Sequence, residues 1–486
     1  MFVETPEFAS GVLWQRFPKG SSILRLSGTA TNSEPKNLTG GFFAAGDPQV
    51  NFDGTRILFS GQKNQGEHWQ IWEMDLDGAN RRQITQCAQD CVRGAYLPGE
   101  EIAFTVEELQ GKQRQSYLAV VKADGSEFRR ITFGPAEFEL ETVLRDGRIV
   151  ASAPWPLTGG KEGTRLLYTL RPDGTALESL RCSHNGAGIQ TDAEEMEDGS
   201  VVFVARHDSI ESAGGELEQI RRGAVGPTPL GTIQRLGTGE RQGCQTPRLR
   251  SSRLTDAGPG NLPSPQKRGL SSDEGIEYRW PRQVSIEELI VSKERSVTNN
   301  AAPKFDLFTF NLRTGTLGQK VYGDERNSSI QPAVVAPHVV PKRYWSTLNP
   351  ESPDGYFISL DSYLAADVPN GRIATPIAQV RVMTMDAADG KERVLGVAPV
   401  ENDGSFYVRV PANAPVRFVL LDVKGQTIRE ERSWVWSRPG EQRGCTGCHG
   451  DKAVAPENHW PLTLKRFDTP TALGEIQHGS ATAHAN

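Results

Sequence analysis

The sequence predicts an all-β fold: a β-propeller of six blades, with five as the alternative, followed by a small β-sandwich and a short C-terminal segment of different character. Three observations carry this. Fifty Gly and 31 Pro separate many short runs of β-branched and aromatic residues, the signature of strands joined by tight turns. A unit of Asp-Gly turn, alternating strand, loop, second strand and second Asp-Gly turn recurs through the first two thirds of the chain. Past Pro341 that period disappears while the strand alternation continues.

The first copy reads Phe52-Asp53-Gly54-Thr55-Arg56-Ile57-Leu58-Phe59-Ser60, then Trp69-Gln70-Ile71-Trp72-Glu73-Met74-Asp75-Leu76-Asp77-Gly78, then Arg82-Gln83-Ile84-Thr85. The second runs from Leu97-Pro98-Gly99 through Ala123-Asp124-Gly125 to Arg130-Ile131-Thr132. The third runs from Asp146-Gly147 to Pro172-Asp173-Gly174, and a degenerate fourth starts at Asp198-Gly199. Gly78, Gly125 and Gly174 lie 47 and 49 residues apart, the length of one propeller blade. The copies resemble the Asp-Gly-rich repeats of TolB-type propellers.

Residues 46–340 are assigned to the propeller, interrupted at about 242–277 by an exposed insertion rich in Pro, Gly, Ser and Arg. Strand signals resume at 287–292 and 305–310. Residues 1–45 contain the back half of a repeat, at 22–26 and 36–39, without its front half. The stretch 330–335 supplies a front half, so this N-terminal segment is expected to close the ring with strands from both ends. Residues 341–438 form the sandwich, with strands at 356–360, 378–385, 405–410 and 416–421 and a turn at Asn402-Asp403-Gly404. Residues 439–468 form the distinct C-terminal segment, and 469–486 read as a disordered tail.

Composition narrows the partners. A net charge of −6 with scattered Lys and Arg offers no basic footprint for nucleic acid. Apolar stretches are only a few residues long, far short of the roughly 20 needed to span a bilayer, so no membrane span is expected.

The chemistry concentrates at Cys445-Thr446-Gly447-Cys448-His449. Two thiols spaced by two residues reach both vinyl groups of a haem while the adjacent imidazole faces the iron. The motif therefore predicts one covalent c-type haem on Cys445 and Cys448 with His449 as axial ligand. A disulfide loop or half a zinc knuckle are the competing readings, although a knuckle wants a second Cys or His pair close by. For the sixth iron position the nearest candidate in sequence is His459, beside Trp460, whose plainer reading is a surface histidine. Met383 and Met385 read as core or sandwich surface, and His478 and His484 lie in the tail.

Cys182-Ser183-His184 places a thiol and an imidazole on one side of an extended backbone, a candidate pair for a second metal such as zinc, or for a haem contact. A buried cysteine beside a capping histidine is the alternative. Cys87 and Cys91 are spaced for a local disulfide in an oxidising compartment, and Cys244 in the insertion either pairs with Cys182 or stays unpaired. The acidic run Asp192-Ala193-Glu194-Glu195-Met196-Glu197-Asp198 reads as a solvated turn. No Ser-His-Asp set, phosphate loop or paired-carboxylate signature stands out. Because c-type haem is attached after export, a periplasmic or other extracytoplasmic location is expected. The opening Met1-Phe2-Val3-Glu4-Thr5 carries no export signal, so a leader upstream of the given start, or a misplaced start, is expected.

The C-terminal third resembles the middle domain of the hydrazine synthase alpha subunit family. The residues that carry the resemblance are Val400-Glu401-Asn402-Asp403-Gly404-Ser405-Phe406, Pro411-Ala412-Asn413-Ala414-Pro415, Leu420-Leu421-Asp422, Arg432-Ser433-Trp434-Val435-Trp436, Arg438-Pro439-Gly440-Glu441, and the haem motif with Ala455-Pro456 after it. That family also places a propeller before this domain, so the likeness covers nearly the whole chain. It implies a haem held close to the propeller, where reactive nitrogen chemistry occurs in the synthase. In the synthase a Tyr shortly after the motif ligates iron and the motif His serves zinc. Here Ala453 stands four residues past His449, and no Tyr follows Tyr407. The second c-haem that the family carries in a further domain has no counterpart in this sequence.

Two departures from the family thus return His449 to iron ligation. The first functional expectation is a single-haem c-type cytochrome that passes electrons to a redox partner protein, with the propeller as docking platform. The second is a haem-dependent oxidoreductase acting on a small nitrogen or oxygen species at the haem and propeller interface. The third is a propeller scaffold with a structural haem.

Overall fold

The computed structural model describes residues 1–6, 17–26, 34–110, 113–158, 164–180, 188–206, 214–221, 232–235, 241–242, 278–295, 303–365, 368–386, 390–447 and 459–473. The insertion expected at 242–277 lies outside them, apart from Gln242 itself. So do Cys182, His184 and Cys244.

Short alternating runs between Asp-Gly turns fold into antiparallel blades, most of them four-stranded, that follow one another among the described residues. Blade 1 is Ser328–Ile330, Phe2–Thr5, Ser22–Arg25 and Lys36–Asn37. Blade 2 is Ala44–Val50, Arg56–Gln62, Gln70–Asp75 and Arg82–Gln83. Blade 3 is Asp90–Leu97, Glu101–Gln110, Gln113–Lys122 and Arg129–Arg130. Blade 4 is Glu139–Val143, Ile149–Pro154, Arg165–Leu170 and Glu178–Ser179, and a single parallel pairing, Arg165 with Ile189, joins it to blade 5. Blade 5 begins with Ile189–Glu195, Val201–Arg206 and Glu216–Arg221 and continues through Thr232–Arg235 to Arg241–Gln242. Blade 6 is Tyr278–Ser285, Glu288–Arg295, Lys304–Asn311 and Thr316–Tyr322. The ring closes in blade 1, where Val3 pairs with Ile330 and also with Ile23. Closure thus mixes the two ends of the propeller sequence, and the strand that supplies it sits two residues earlier than the 330–335 expected.

Apolar faces of neighbouring blades pack on one another rather than into one central core. Leu58 and Ile71 of blade 2 meet Ile102, Phe104 and Val121 of blade 3, and Val202 and Val204 of blade 5 meet Leu289 and Val291 of blade 6. A disulfide joins Cys87, in the connection between blades 2 and 3, to Cys91 on the first strand of blade 3.

The innermost strands repeat one irregularity. Their pairing slips between Gly46 and Gln49, Val92 and Ala95, Leu140 and Thr142, Thr191 and Glu194, and Arg279 and Arg282. Asp47, Arg93, Asp192 and Trp280 at these bulges have φ of 54°, 52°, 56° and 47°, and Gln331 in the closing blade has 49°. A bulge re-aims the side chain it carries, and here the re-aimed groups meet around the axis. Asp192 is buried and takes a 2.5 Å hydrogen bond from Arg279 Nε, while Asp47 exchanges hydrogen bonds of 2.8 and 2.7 Å with Gln331. This corrects the reading of residues 192–198 as a solvated turn. The first of those acids is turned inward by its bulge and paired with an arginine 87 residues away.

After the ring closes, residues 331–348 run as a strap, without regular secondary structure, across the face formed by the turns between first and second strands. It is tied at Ala333 N to Met1 O (2.8 Å), His338 N to Phe52 O (2.9 Å) and Lys342 N to Arg145 O (2.8 Å). A side chain at Gly54 (φ 71°) would come 2.7 Å from Pro337 N, and one at Gly147 (φ 87°) 2.0 Å from Lys342 O. The Gly of the repeated Asp-Gly turn therefore serves both the turn and the close passage of the strap.

The sandwich follows. One sheet has the order Gln442–Cys445, Asp354–Ser359, Phe406–Pro411, Thr471–Ala472, and the other Glu392–Pro399, Gln379–Met385, Val416–Leu421, Thr427–Glu430. Phe357, Val380, Val382, Phe406, Val408 and Val416 fill the space between them. The expected segment boundaries shift here. Strand Gln442–Cys445 belongs to the sandwich, and so does Thr471–Ala472, inside the stretch expected as a disordered tail. Leu473, 6% exposed, anchors it by packing into the sandwich core.

Candidate functional site

The strand that ends at Cys445 is positioned from the propeller outward. Trp436 is fully buried against Phe138 of blade 4, ring centroids 5.7 Å apart, and its Nε1 donates to Gly174 O at 3.1 Å. Trp434 N donates to Leu157 O at 2.9 Å. Arg438 Nε donates to Asp173 O (2.8 Å), and Arg443 Nη2 donates to Leu177 O (3.1 Å) while its Nη1 donates to Trp436 O (2.6 Å). Burial lowers the Arg438 pKa, but a guanidinium remains charged throughout the physiological range. The Trp-Val-Trp and Arg-Pro-Gly stretches that the sequence offers as family markers are thus a dock onto the outer edge of blade 4.

From that dock the chain enters the sandwich as an edge strand, parallel to Asp354–Ser359, with Cys445 opposite Ser359 and Leu360 N donating to Cys445 O at 2.9 Å. Its thiol is half-buried against the sandwich core, and burial pushes its pKa up. Among the described residues it is the one cysteine outside a disulfide. Two residues on, Gly447 lies against the turn at Asp361, where a side chain would come 2.7 Å from Leu364 Cβ. Cys448 and His449 lie outside the described residues.

The chain is described again from His459, and it is fastened there too. Asp403 Oδ2 accepts from Leu462 N at 2.7 Å and sits 3.3 Å from His459 Nε2. Ser405 Oγ accepts from Thr463 N at 3.0 Å, and Arg466 Nη1 donates to Glu401 Oε1 at 3.0 Å. Burial works against the Asp403 carboxylate, yet the donors from Ser405, Leu462 and His459 together hold its pKa below the usual range. The turn Glu401-Asn402-Asp403-Gly404-Ser405 is therefore a clamp on the segment that follows the Cys-x-x-Cys-His motif. The sequence shows this turn but not its partner.

The arrangement suits a covalently held group. Cys445, which is in no disulfide among the described residues, sits at the end of a pinned strand, Gly447 packs against the turn at Asp361, and the chain is fastened again from His459 onward. The donor set of two cysteines and an adjacent histidine is that of c-haem attachment. His459 is brought to the same region, with its Nε2 directed at a carboxylate. Met383 and Met385 are half-buried on the other sheet. No group of three or more potential metal ligands is found among the described residues.

The fold and this segment define a class: a β-propeller docked to a β-sandwich that carries a Cys-x-x-Cys-His motif after one of its edge strands. The hydrazine synthase alpha subunit middle domain family matches residues 363–450, from the sandwich through the motif. Hydrazine synthase subunit alpha from Kuenenia stuttgartiensis is 24% identical over 97% of this chain and 70% of its own length. The solved Kuenenia stuttgartiensis hydrazine synthase superposes with a TM-score of 0.76 at 19% identity, over 96% of this chain and 70% of that chain. A putative TolB from Agrobacterium tumefaciens aligns over 60% of this chain and 84% of that one, with a TM-score of 0.39 and 11% identity. The chain is thus similar to the hydrazine synthase alpha subunit over nearly its whole length, and its residues 363–450 match that subunit's middle domain.

Proposed function

We propose that this chain is a c-type haem protein of an extracytoplasmic compartment, in which Cys445 and Cys448 would hold one haem, His449 would ligate its iron, and that iron would bind a small nitrogen or oxygen species. The observation that carries this reading is the Asp403 contact. His459, the nearest other imidazole in sequence, directs its Nε2 at a carboxylate 3.3 Å away, and that is the atom an axial histidine would give to iron. When bound, the haem would supply an iron centre for ligand binding and one-electron exchange. The chain's own residues fasten the sequence on either side of the motif: Trp436 and Arg443 before it, and Asp403, Ser405 and Glu401 through their bonds to Leu462, Thr463 and Arg466 after it. The Cys87–Cys91 disulfide supports an oxidising compartment, and no helix among the described residues is long and apolar enough to cross a membrane.

Electron transfer to a partner protein is the second reading. It is favoured by Trp460 and Phe467, which are exposed beside the clamp and offer an apolar rim for docking. Cys182 and His184 are the pair in which a second metal would be sought. Optical and paramagnetic resonance spectra of the purified protein, with metal analysis, test all three statements. A five-coordinate high-spin iron that binds carbon monoxide rapidly when reduced is expected. A low-spin, carbon monoxide-inert haem would reject the open site in favour of electron transfer, and absence of haem would reject both.

A further inference from the structure

On the face crossed by the strap, the propeller axis opens into a cavity of about 290 Å³, walled by turns of blades 2 to 6 and roofed by residues from Ala333 to Pro341. None of its lining residues belongs to the sandwich. Its two sides differ in chemistry. Blades 2 and 3 present Val50, Phe52, Ala95 and Tyr96, while blades 4, 5 and 6 present Arg145, Glu194, Glu195 and Arg282.

The charged side is only partly self-satisfied. Arg282 Nη1 donates to Glu194 Oε2 at 3.1 Å, the Arg145 backbone N–H donates to Glu195 Oε2 at 2.5 Å, and Arg145 Nη1 donates to the Glu197 carbonyl at 2.7 Å. Among the described residues neither Arg282 Nη2 nor Glu194 Oε1 makes a further hydrogen bond. Burial raises the Glu194 pKa, and the guanidinium groups of Arg282 and Arg145, with His338, oppose that.

We propose that this cavity binds a small zwitterion with an apolar body, the class of a free aliphatic or aromatic α-amino acid. A simple anion entering here would dehydrate the glutamates without partnering them, and a simple cation would do the same to the arginines. Each would lose the cost of burying unpaired charge. A molecule with both signs at one end matches both, and its body lies on the Phe52 and Tyr96 side. The volume falls at the lower limit of ordinary ligand pockets, about 300 Å³, which suits a molecule the size of one amino acid.

Titration calorimetry on the full chain tests this with L-leucine as probe. Saturable single-site binding is expected. N-acetyl-L-leucine, which lacks the ammonium, and L-leucinamide, which lacks the carboxylate, should each bind at least about tenfold more weakly, the loss of one charge-assisted hydrogen bond. Glu194→Gln should weaken leucine while leaving N-acetyl-leucine unchanged, and Ala336→Trp, which drops an indole from the roof into the cavity, should abolish binding. No saturable heat with leucine, equal affinity for leucine and its two derivatives, or unaltered binding by Ala336→Trp would each overturn the proposal. The ligand series on the unaltered protein decides the matter even if a variant fails to fold.

Discussion

The wall of the propeller channel and the sandwich edge that carries Cys445 both place chemistry-bearing groups, by opposite means. In the channel blades 2 to 6 each add one bulged inner strand, and polar groups at these bulges pair with residues of other blades. Arg93 lies near Glu139 (3.6 Å) and Glu141 (4.0 Å) of blade 4, and although burial acts to lower its pKa, those carboxylates with Asp47 and Asp192 hold it up. At the sandwich edge one strand and one turn do the whole task. Repetition makes the channel a distributed network, whereas the motif loop depends on two local anchors, Trp436 on one side and Asp403 on the other.

The largest effect should follow from the first of those anchors. Trp436→Ala removes a fully buried indole shared by the sandwich and blades 3 and 4, together with its hydrogen bond to Gly174. The expected cost is about 3–5 kcal/mol, and calorimetry should show the single unfolding transition split into two as propeller and sandwich uncouple. A single transition, merely shifted, would mean that other contacts hold the domains together. Asp192→Ala probes the contrasting region. It strips the partner from Arg279 inside the channel, and breaking a buried pair in this way costs about 3–5 kcal/mol. Denaturant unfolding should place the entire loss in the propeller and leave the spectrum of the proposed haem unchanged.

The two regions were not equally legible. Blade length, the ring closure by both ends of the propeller sequence, the change of architecture after Pro341 and the motif itself all follow from local signals: turn residues, strand period and cysteine spacing. The channel does not, because a bulge swaps the face on which a side chain emerges and no sequence period records it. Asp192 therefore reads as the start of a solvated acidic turn although it is buried and paired. The clamp is hidden for another reason. Asp403-Gly404 is visible as a turn, but its partner Leu462 lies 59 residues further on, and spacing alone cannot connect them. The strand at Thr471–Ala472 is two residues long and leaves no pattern beyond Leu473.

A smaller and more local effect is expected from the second anchor. Asp403→Ala removes the acceptor for Leu462 N and the carboxylate facing His459, with a stability loss of about 2 kcal/mol, the scale of hydrogen bonds to a charged group. The informative reading is spectroscopic. If Asp403 keeps His459 away from the iron, its removal should convert part of a high-spin signal into a low-spin one and slow carbon monoxide binding. An unchanged spectrum with lowered stability would make the clamp a fastening of the chain and nothing more.

The smallest expected effect concerns Glu194 at the mouth of the channel, and it turns on a sign. Burial raises its folded pKa above the ordinary 4.5, and Arg282, His338 and Arg145 only partly offset that. Between the unfolded and folded values the native protein holds a proton that the unfolded chain has released, so this group's contribution to stability declines as pH rises through that window. Glu194→Gln removes the titration while keeping the side chain's shape. The difference in stability between the unaltered protein and the variant, followed by urea unfolding upward from about pH 4.5, should therefore shift steadily in the variant's favour, then level off once Glu194 is ionised in both states. A difference that moved the other way would mean that the arginines outweigh burial, and the channel mouth would then be a site that stabilises a carboxylate, as Asp403's donors do at the sandwich edge.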